Sequence, residues 1–490
     1  MHAILALLVL APAQDRAVTF VYQPQQAPQT VHVVGQFNNW DRTTHPLALL
    51  PDGKTWKGTF NIAPGVYQYL FVENSNRWLP DPKAPPAGDA NGNTNSLLIV
   101  EPPDYDLKPA KLGDGFLTLS AVLHRPDRRD SVRLDDTRVA VSLRTRKGDA
   151  KEVSLEVAKK KYKGALSRSD ALYDYWRCEI PVATTDYKFL IDEGSKVVPF
   201  GEFKQAFADY PLPSPPLWVR DAVFYQIFPD RFKNGDPAND PKDVEPWGSP
   251  PKGRNWMGGD LAGIRQGLSH LKELGVSGLY LNPMFVSPSN HGYDIFDYFT
   301  VNPRFGTNDD MKLLVAEAHA MDCRVMLDGV FNHSGIEFKP FKDVRDKGAE
   351  SKYKNWYYIT RWPVQVRDGQ QTYRTFAGVT SMPKLNTENP EVRAFMNEVG
   401  TRWIKDAGID AWRLDVADEV SHDAWKEFRK VIKETRPDAY ILGEVWGDAH
   451  EWLQGDEHDA VMNYRWRKAV LDFLAYKSLK PSAFDRELKR

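Results

Sequence analysis

Cysteine is nearly absent: the 490 residues hold two, Cys178 and Cys323, far apart in the chain. No disulfide scaffold or cysteine-rich metal site can be built from them, and no bridge between them is expected. Net charge is missing as well. Lys plus Arg number 64 and Asp plus Glu 66, a formal charge of −2, so no global field draws the chain toward nucleic acid or anionic lipid. No run after the first residues is long and apolar enough to span a bilayer. What is present is 42% hydrophobic and 27% charged, the balance of a folded protein with ample core and about three domains. Disordered chains, small disulfide scaffolds and polytopic membrane proteins are excluded. Aromatic rings are plentiful, 15 Trp, 20 Tyr and 24 Phe. Flat rings suit stacking on sugars, although most rings in any chain are core.

The opening MHAILALLVLAPA ends in a small-x-small site, Ala11-Pro12-Ala13. Residues 1–13 read as a secretory signal peptide, although no Lys or Arg precedes the apolar run; a frayed apolar start is the alternative. The mature protein is expected to be soluble, and secreted or periplasmic.

Three textures follow. Residues 17–101 alternate short β-rich runs (VTFVY, VHVVGQF, WKGTF, YQYLFV, SLLIV) with Asn, Gly, Asp and Pro turns, the pattern of a β-sandwich. A second β-rich block covers 113–211, and PLPSPP makes a stiff boundary after it. From 217 to 490 strands alternate with helices, the helices expected at 261–274, 307–321, 390–406 and 422–435. That alternation predicts a parallel sheet, open or closed as a barrel. The stretch 334–386, after the third strand, is too long for a loop and reads as a small inserted subdomain. The fold expected is multidomain: two immunoglobulin-like β-sandwich modules, then a (β/α)8 TIM-type barrel with about six βα units present.

Polar residues gather at the C-terminal ends of the expected barrel strands, where barrels place their chemistry. They are Asp328, Asn332 and His333 on the third, Arg413 and Asp415 on the fourth, and Glu444 on the fifth. Strand period puts Arg413 and Asp415 on one face, and the Arg is expected to keep the Asp ionised. Glu444 lies between YILG and Val445-Trp446, surroundings expected to raise its pKa. One ionised and one protonated carboxyl is the pairing of glycoside hydrolysis, which for retention stand about 5–5.5 Å apart. A structural ion pair and a solvated strand end would give the same residues.

The motifs around them resemble the α-amylase superfamily, glycoside hydrolase family thirteen. DGVFNH (328–333), GIDAWRLDV (408–416) and GEVW (443–446) are similar to three of its conserved regions. MPKLN (382–386), VFYQIFPDRF (223–232) and NPMFVSPSNHGYDIFDY (282–298) resemble the neopullulanase, cyclomaltodextrinase and maltogenic amylase group. The resemblance implies Asp415 as nucleophile, Glu444 as acid/base and Arg413 as the residue that fixes Asp415. It implies substrate contacts at Tyr293, Asp294, Asp328, Asn332, His333 and Trp446. Gly447 stands where the group commonly has His. The family's third carboxylate, an Asp after the seventh strand, has no counterpart before Arg490. We therefore expect a fragment of a longer enzyme, aggregation-prone and essentially inactive as these residues alone, with its two β-modules still able to fold.

NGDPAND (234–240) with GGD (258–260) offers oxygen donors at Asn234, Asp236, Asn239, Asp240, Gly258 and Asp260. Such a set suits Ca²⁺, and the resemblance favours that reading over a plain surface turn. The 17–101 block resembles the glycogen- and starch-binding module of carbohydrate-binding family forty-eight, implying stacking rings at Trp40 and Trp78 and a hydroxyl ligand at Asn95. The 113–211 block resembles the N-terminal β-domain of the neopullulanase group, which implies a possible homodimer. The function expected is retaining hydrolysis of α-1,4-glucosidic bonds in cyclodextrins, pullulan, maltooligosaccharides or starch, with Ca²⁺ and no organic cofactor. The alternatives are a glucanotransferase on the same site and a non-catalytic α-glucan-binding protein.

Overall fold

The computed structural model describes residues 15–488 except 39, 43, 75–76, 89–93, 106–107 and 251. The signal-peptide reading of 1–13 falls outside the described residues. Two compact units are present, one of residues up to 212 together with those from 463 onward, the other Pro213–Met462.

In the first unit, the N-terminal module opens with Arg16–Tyr22, paired antiparallel to Trp56–Ile62 with Arg16 opposite Ile62 and Tyr22 opposite Trp56. A second sheet runs in the order Val31–Gly35, Gly65–Glu73, Thr94–Val100, Pro86–Gly88. Alternation turns Phe20, Tyr22, Val31, Val33, Tyr69 and Phe71 inward to one core. The second module stacks two four-stranded sheets around Val139, Val141, Leu143, Trp176, Cys178, Ile180, Phe189 and Ile191. Cys178 is core here and Cys323 is core in the other unit, and both are free thiols.

Tyr464–Val470 continues through a wider turn at Leu471–Ala475, and a second helix covers Pro481–Leu488. Proline suits a first helical position because its missing N–H would lack a partner there anyway. Phe484 stacks on Phe473 with ring centroids 4.4 Å apart.

The second unit is built on six parallel strands that neighbour one another in chain order. They are β1 (Phe224–Ile227), β2 (Gly278–Leu281), β3 (Arg324–Gly329), β4 (Ala411–Leu414), β5 (Tyr440–Gly443) and β6 (Ala460–Val461). Between them run α1 (Leu261–Glu273), α2 (Asn308–Ala320), α3 (Lys339–Lys347), α4 (Pro390–Ala407) and α5 (His422–Thr435). The curled sheet is an incomplete barrel among the described residues. Local chemistry sets the helix ends: Asp260 caps α1, Thr307 and Asp310 form a reciprocal capping box on α2, Asn389 caps α4 and Ser421 caps α5. α5 buries Ala424, Trp425, Phe428 and Ile432, one stripe at helical spacing. Residues 334–386 hold α3, short 3-10 turns and isolated bridges such as Ile359 with Tyr373, a small subdomain tied back by a bridge between His333 and Lys384.

Just before β4, buried Asp410 collects four donors. Its carboxylate takes the Val325 N–H at 2.8 Å, His319 Nε2 at 2.6 Å, Arg324 Nη1 at 2.8 Å and Arg436 Nη2 at 2.7 Å. Neighbouring strands and helices are thereby clamped at the end of the sheet opposite the strand-end carboxylates. Among the described residues no helix is long and apolar enough to cross a membrane.

Candidate active site

Parallel register brings the strand ends together. Asp328 on β3 lies opposite Arg413 on β4, and Arg413 opposite Leu442 on β5. The ladder continues past the strands: the Asp415 N–H donates to the Gly329 carbonyl at 3.0 Å, and the Glu444 N–H to the Leu414 carbonyl at 2.9 Å. One guanidinium then touches three carboxylates. Arg413 Nη1 lies 2.8 Å from Asp328 Oδ1 and 2.8 Å from Asp415 Oδ1, and Nη2 lies 2.7 Å from Glu444 Oε2. All four side chains are buried.

Further donors converge on Asp328. Its Oδ2 accepts the Tyr280 hydroxyl at 2.6 Å and the Tyr293 hydroxyl at 3.1 Å. Asn282 in turn donates to the Tyr293 hydroxyl at 3.0 Å, and Gln226 to Asn282 Oδ1 at 3.0 Å. Tyr280, Asn282 and Gln226 were not singled out in the sequence. Their segments read as ordinary strand, and an alternation pattern cannot mark a polar side chain that reaches across to the next strand.

Electrostatics departs from the expectation that Arg413 keeps Asp415 ionised. Burial pushes the Asp415 carboxyl well above the carboxylate range; Arg413 opposes this, while Asp328 and Glu444 reinforce it. Asp328 is raised by burial too. Arg413 loses stability as a cation through burial, but Asp328, Tyr280, Asp415 and Glu444 outweigh that and hold it charged. One cation faces three carboxylates, and burial drives both Asp328 and Asp415 toward their protonated forms against the pull of Arg413.

The turn after β4 carries strain. Val416 sits in the left-handed region at φ 46° and ψ 48°, a conformation that costs a β-branched residue about 1–3 kcal/mol. There its N–H donates to Glu444 Oε2 at 3.0 Å, and the next N–H, of Ala417, donates to the Glu444 carbonyl at 3.0 Å.

His333 is buried and stacks on Phe376 with centroids 5.0 Å apart. Its Nε2 has no partner among the described residues, and burial, with Lys384 adding repulsion, lowers its pKa to about 3. Asn332 is buried in a polar knot, accepting from Lys384 Nζ at 2.8 Å, while Lys384 pairs with Glu419 at 2.5 Å. Asp294 accepts from Ser287 Oγ at 2.7 Å and from Ser289 Oγ. Trp446 is 44% exposed and donates its N–H to Asp418 at 3.5 Å. Burial raises Asp418 to about 6.

The oxygen-rich loops hold the expected oxygen-donor side chains in a network of their own hydrogen bonds. Among the described residues no three His, Cys, Asp or Glu side chains are arranged to hold a metal. Asp260 spends its oxygens on the N–H groups of Gly235, Asp236 and Gly263 and on Asn239 Nδ2. Asp236 accepts from the Ala238 N–H. Asp240 faces Asn234 Nδ2 at 2.8 and 3.0 Å, and a Cβ on Gly258 would lie 2.4 Å from Asp240 Oδ1. The carbonyl oxygens Asn234 Oδ1 and Asn239 Oδ1 are buried without a partner. Two orphaned amide oxygens in the loop that carries Asp240 fit a hard cation such as Ca²⁺, with Asp260 spending its oxygens on organising that loop.

In the N-terminal module Trp40 and Trp78 are neighbours, ring centroids 6.5 Å apart and tilted by 46°, with Arg42 5.8 Å over Trp78. Asn95, the hydroxyl ligand that the resemblance implies, is buried and donates to Gln68 Oε1 at 2.8 Å.

Comparison with known proteins agrees with this arrangement. Residues 226–487 match the α-amylase catalytic domain, 117–215 the α-amylase N-terminal Ig-like domain, and 18–106 the glycogen recognition site of AMP-activated protein kinase. A cyclomaltodextrinase of Bacillus sp. is 45% identical over 386 residues, 73% of this chain and 69% of the relative. Neopullulanase 2 of Thermoactinomyces vulgaris is 40% identical over 402 residues, 76% of this chain and 68% of the relative. A solved cyclomaltodextrinase structure superimposes with a TM-score of 0.66 at 43% identity, covering 76% of this chain and 68% of that one. The catalytic-domain match takes in more than half of the residues, and the chain belongs to the α-amylase family of glycoside hydrolases.

Proposed function

We propose that the protein hydrolyses α-1,4-glucosidic bonds of cyclodextrins, pullulan and maltooligosaccharides with retention of anomeric configuration. The observation that carries the reading is Arg413 bridging Asp328, Asp415 and Glu444 in one buried cluster at the strand ends. Relatives named cyclomaltodextrinase and neopullulanase support the substrate class.

Glu444 delivers its proton to the glycosidic oxygen while Asp415 attacks the anomeric carbon, giving a glycosyl-enzyme. Water, deprotonated by Glu444, then releases the sugar. Tyr293 and His333 line the sugar site, with Asp294, Asp328 and Asn332 holding the surrounding polar network and Trp446 offering a ring on the leaving-group side. Ca²⁺ at Asn234, Asn239, Asp240 and the Gly258 carbonyl would brace the loop after β1; it takes no part in the bond chemistry. Trp40 and Trp78 give the first module a glucan-stacking surface. Secretion, which rests on the apolar run and small-x-small site of residues 1–13, and a homodimer through the second module, which rests on resemblance, complete the proposal.

The test incubates the purified protein with β-cyclodextrin, pullulan and maltotriose, follows products by chromatography and reads the anomer formed first by NMR. Retained α-product, lost in Asp415→Asn and in Glu444→Gln, supports the reading. Longer oligosaccharides as the dominant products would make it a glucanotransferase. Binding to every α-glucan without turnover would make it a binding protein.

A further inference from the structure

We infer that Val416 is a positioning residue, whose backbone N–H decides which oxygen of Glu444 carries the proton given to the glycosidic oxygen. The inference rests on the proposed role of Glu444 as acid/base.

Two hydrogen-bond donors already converge on Glu444 Oε2. The Val416 N–H is 3.0 Å away and the Arg413 Nη2 is 2.7 Å away. Neither donor can accept a hydrogen, because an amide N–H and a guanidinium offer only protons. A hydrogen on Oε2 would point at donors and forfeit both bonds. The proton of a carboxylic acid at this position therefore belongs on Oε1. When the glycosidic bond breaks, the O–H bond at Oε1 breaks with it. Its hydrogen passes to the glycosidic oxygen, which also keeps the electron pair of the broken C–O bond. The negative charge left on Glu444 falls on a carboxylate whose Oε2 is already held by an amide and a cation, so the donors gain strength as the proton leaves.

The left-handed φ 46° and ψ 48° at Val416 set the direction of the peptide that follows it. The neighbouring N–H of Ala417 on the Glu444 carbonyl at 3.0 Å holds the same turn against the Glu444 backbone. Side chain and main chain of Glu444 are thus gripped by consecutive amides.

The experiment replaces the Val416 amide by an ester, using the α-hydroxy analogue of valine in the full chain, and compares two substrates by kcat/KM. Maltotriose needs a proton on its leaving group; α-maltosyl fluoride loses fluoride without one. Removing a hydrogen bond to a charged group should lower kcat/KM on maltotriose by about 10- to 100-fold and change that on the fluoride by less than about threefold. Val416→Gly keeps the N–H but frees the backbone, and should lower the same ratio only a few-fold. Equal loss on both substrates, no loss on either, or a larger loss in Val416→Gly than in the ester would overturn the inference. Glu444→Gln is the control on the underlying reading. Unimpaired maltotriose cleavage in Glu444→Gln would remove the acid/base role itself.

Discussion

The hydroxyl of Tyr280 donates to Asp328 Oδ2 at 2.6 Å, with both side chains buried. A residue of β2 thereby helps hold the carboxylate of β3 that anchors Arg413 of β4. Tyr280→Phe keeps the ring and removes one hydrogen bond to a charged acceptor. We expect it to destabilise the protein by about 1.5–3 kcal/mol, read from urea unfolding. A variant as stable as the parent would show that Tyr293 and Arg413 suffice for Asp328.

Asp415→Asn preserves shape but cannot form the covalent intermediate. Turnover should fall below about 1% of the parent, while glucan binding, spread over many contacts, stays within about threefold by calorimetry. Residual activity well above that level would take the nucleophile role from Asp415.

Acid should weaken the fold through His458. This ring is buried against Trp425, and neither nitrogen has a partner among the described residues. Burial, with Arg429 adding repulsion, lowers its pKa to about 3 from 6.5. The unfolded chain accepts a proton below pH 6.5 and the folded chain does not until about pH 3. Stability from this residue is therefore complete above 6.5 and declines as pH falls toward 3. The loss at pH 5 is roughly 2 kcal/mol. His458→Phe should flatten that part of the melting-temperature curve; an unchanged slope would place the acid sensitivity elsewhere.

If Ca²⁺ occupies the loop after β1, excess EDTA lowers the melting temperature, because an ion bound only by the native state shifts unfolding by mass action. Asp240→Ala should abolish the EDTA effect along with part of the stability. A melting temperature indifferent to chelator in the parent would remove the ion from the proposal.

Trp40→Ala should weaken binding of the protein to glycogen or soluble starch by about 2- to 10-fold, the value of one lost stacking ring. Affinity electrophoresis with Asp415→Asn as the reference scaffold keeps catalysis out of the readout. Unaltered migration would assign glucan binding to other residues.

The residues of the strand ends were legible in the sequence because period two and parallel order fix where they point. DGVFNH, AWRLD and GEVW each follow an apolar run, so Asp328, Arg413, Asp415 and Glu444 had to meet at one edge of the sheet. Helix α5 was legible to its ends, since Ser421 supplies a cap and Trp425, Phe428 and Ile432 supply the stripe. The Tyr280 hydroxyl was not, because it contributes as a polar atom inside a segment that reads as apolar. The left-handed turn at Val416 was not either: nothing in the composition of LDVAD marks a β-branched residue held at positive φ. Asn95 was named from the module resemblance alone, and no local pattern in GNTNSLLIV shows that its side chain is buried and bonded to Gln68. The helix at Pro481–Leu488 was overlooked because its polar letters concealed the ring pair of Phe473 and Phe484.

β4 is four residues long and is pinned by charges at both ends, Asp410 just before it and Arg413 with Asp415 at its far end. A slip of one position would turn Arg413 away from Asp328 and pull Asp410 out of its ring of donors at the same moment. The strand behaves as a peg with two locks, and neither lock can be eased without disturbing the other. Variation that retunes which glucan is cut therefore has to come from the surrounding loops, such as the one bearing Trp446 and the small subdomain of 334–386. The peg itself is the part of the barrel least open to experiment by evolution or by design.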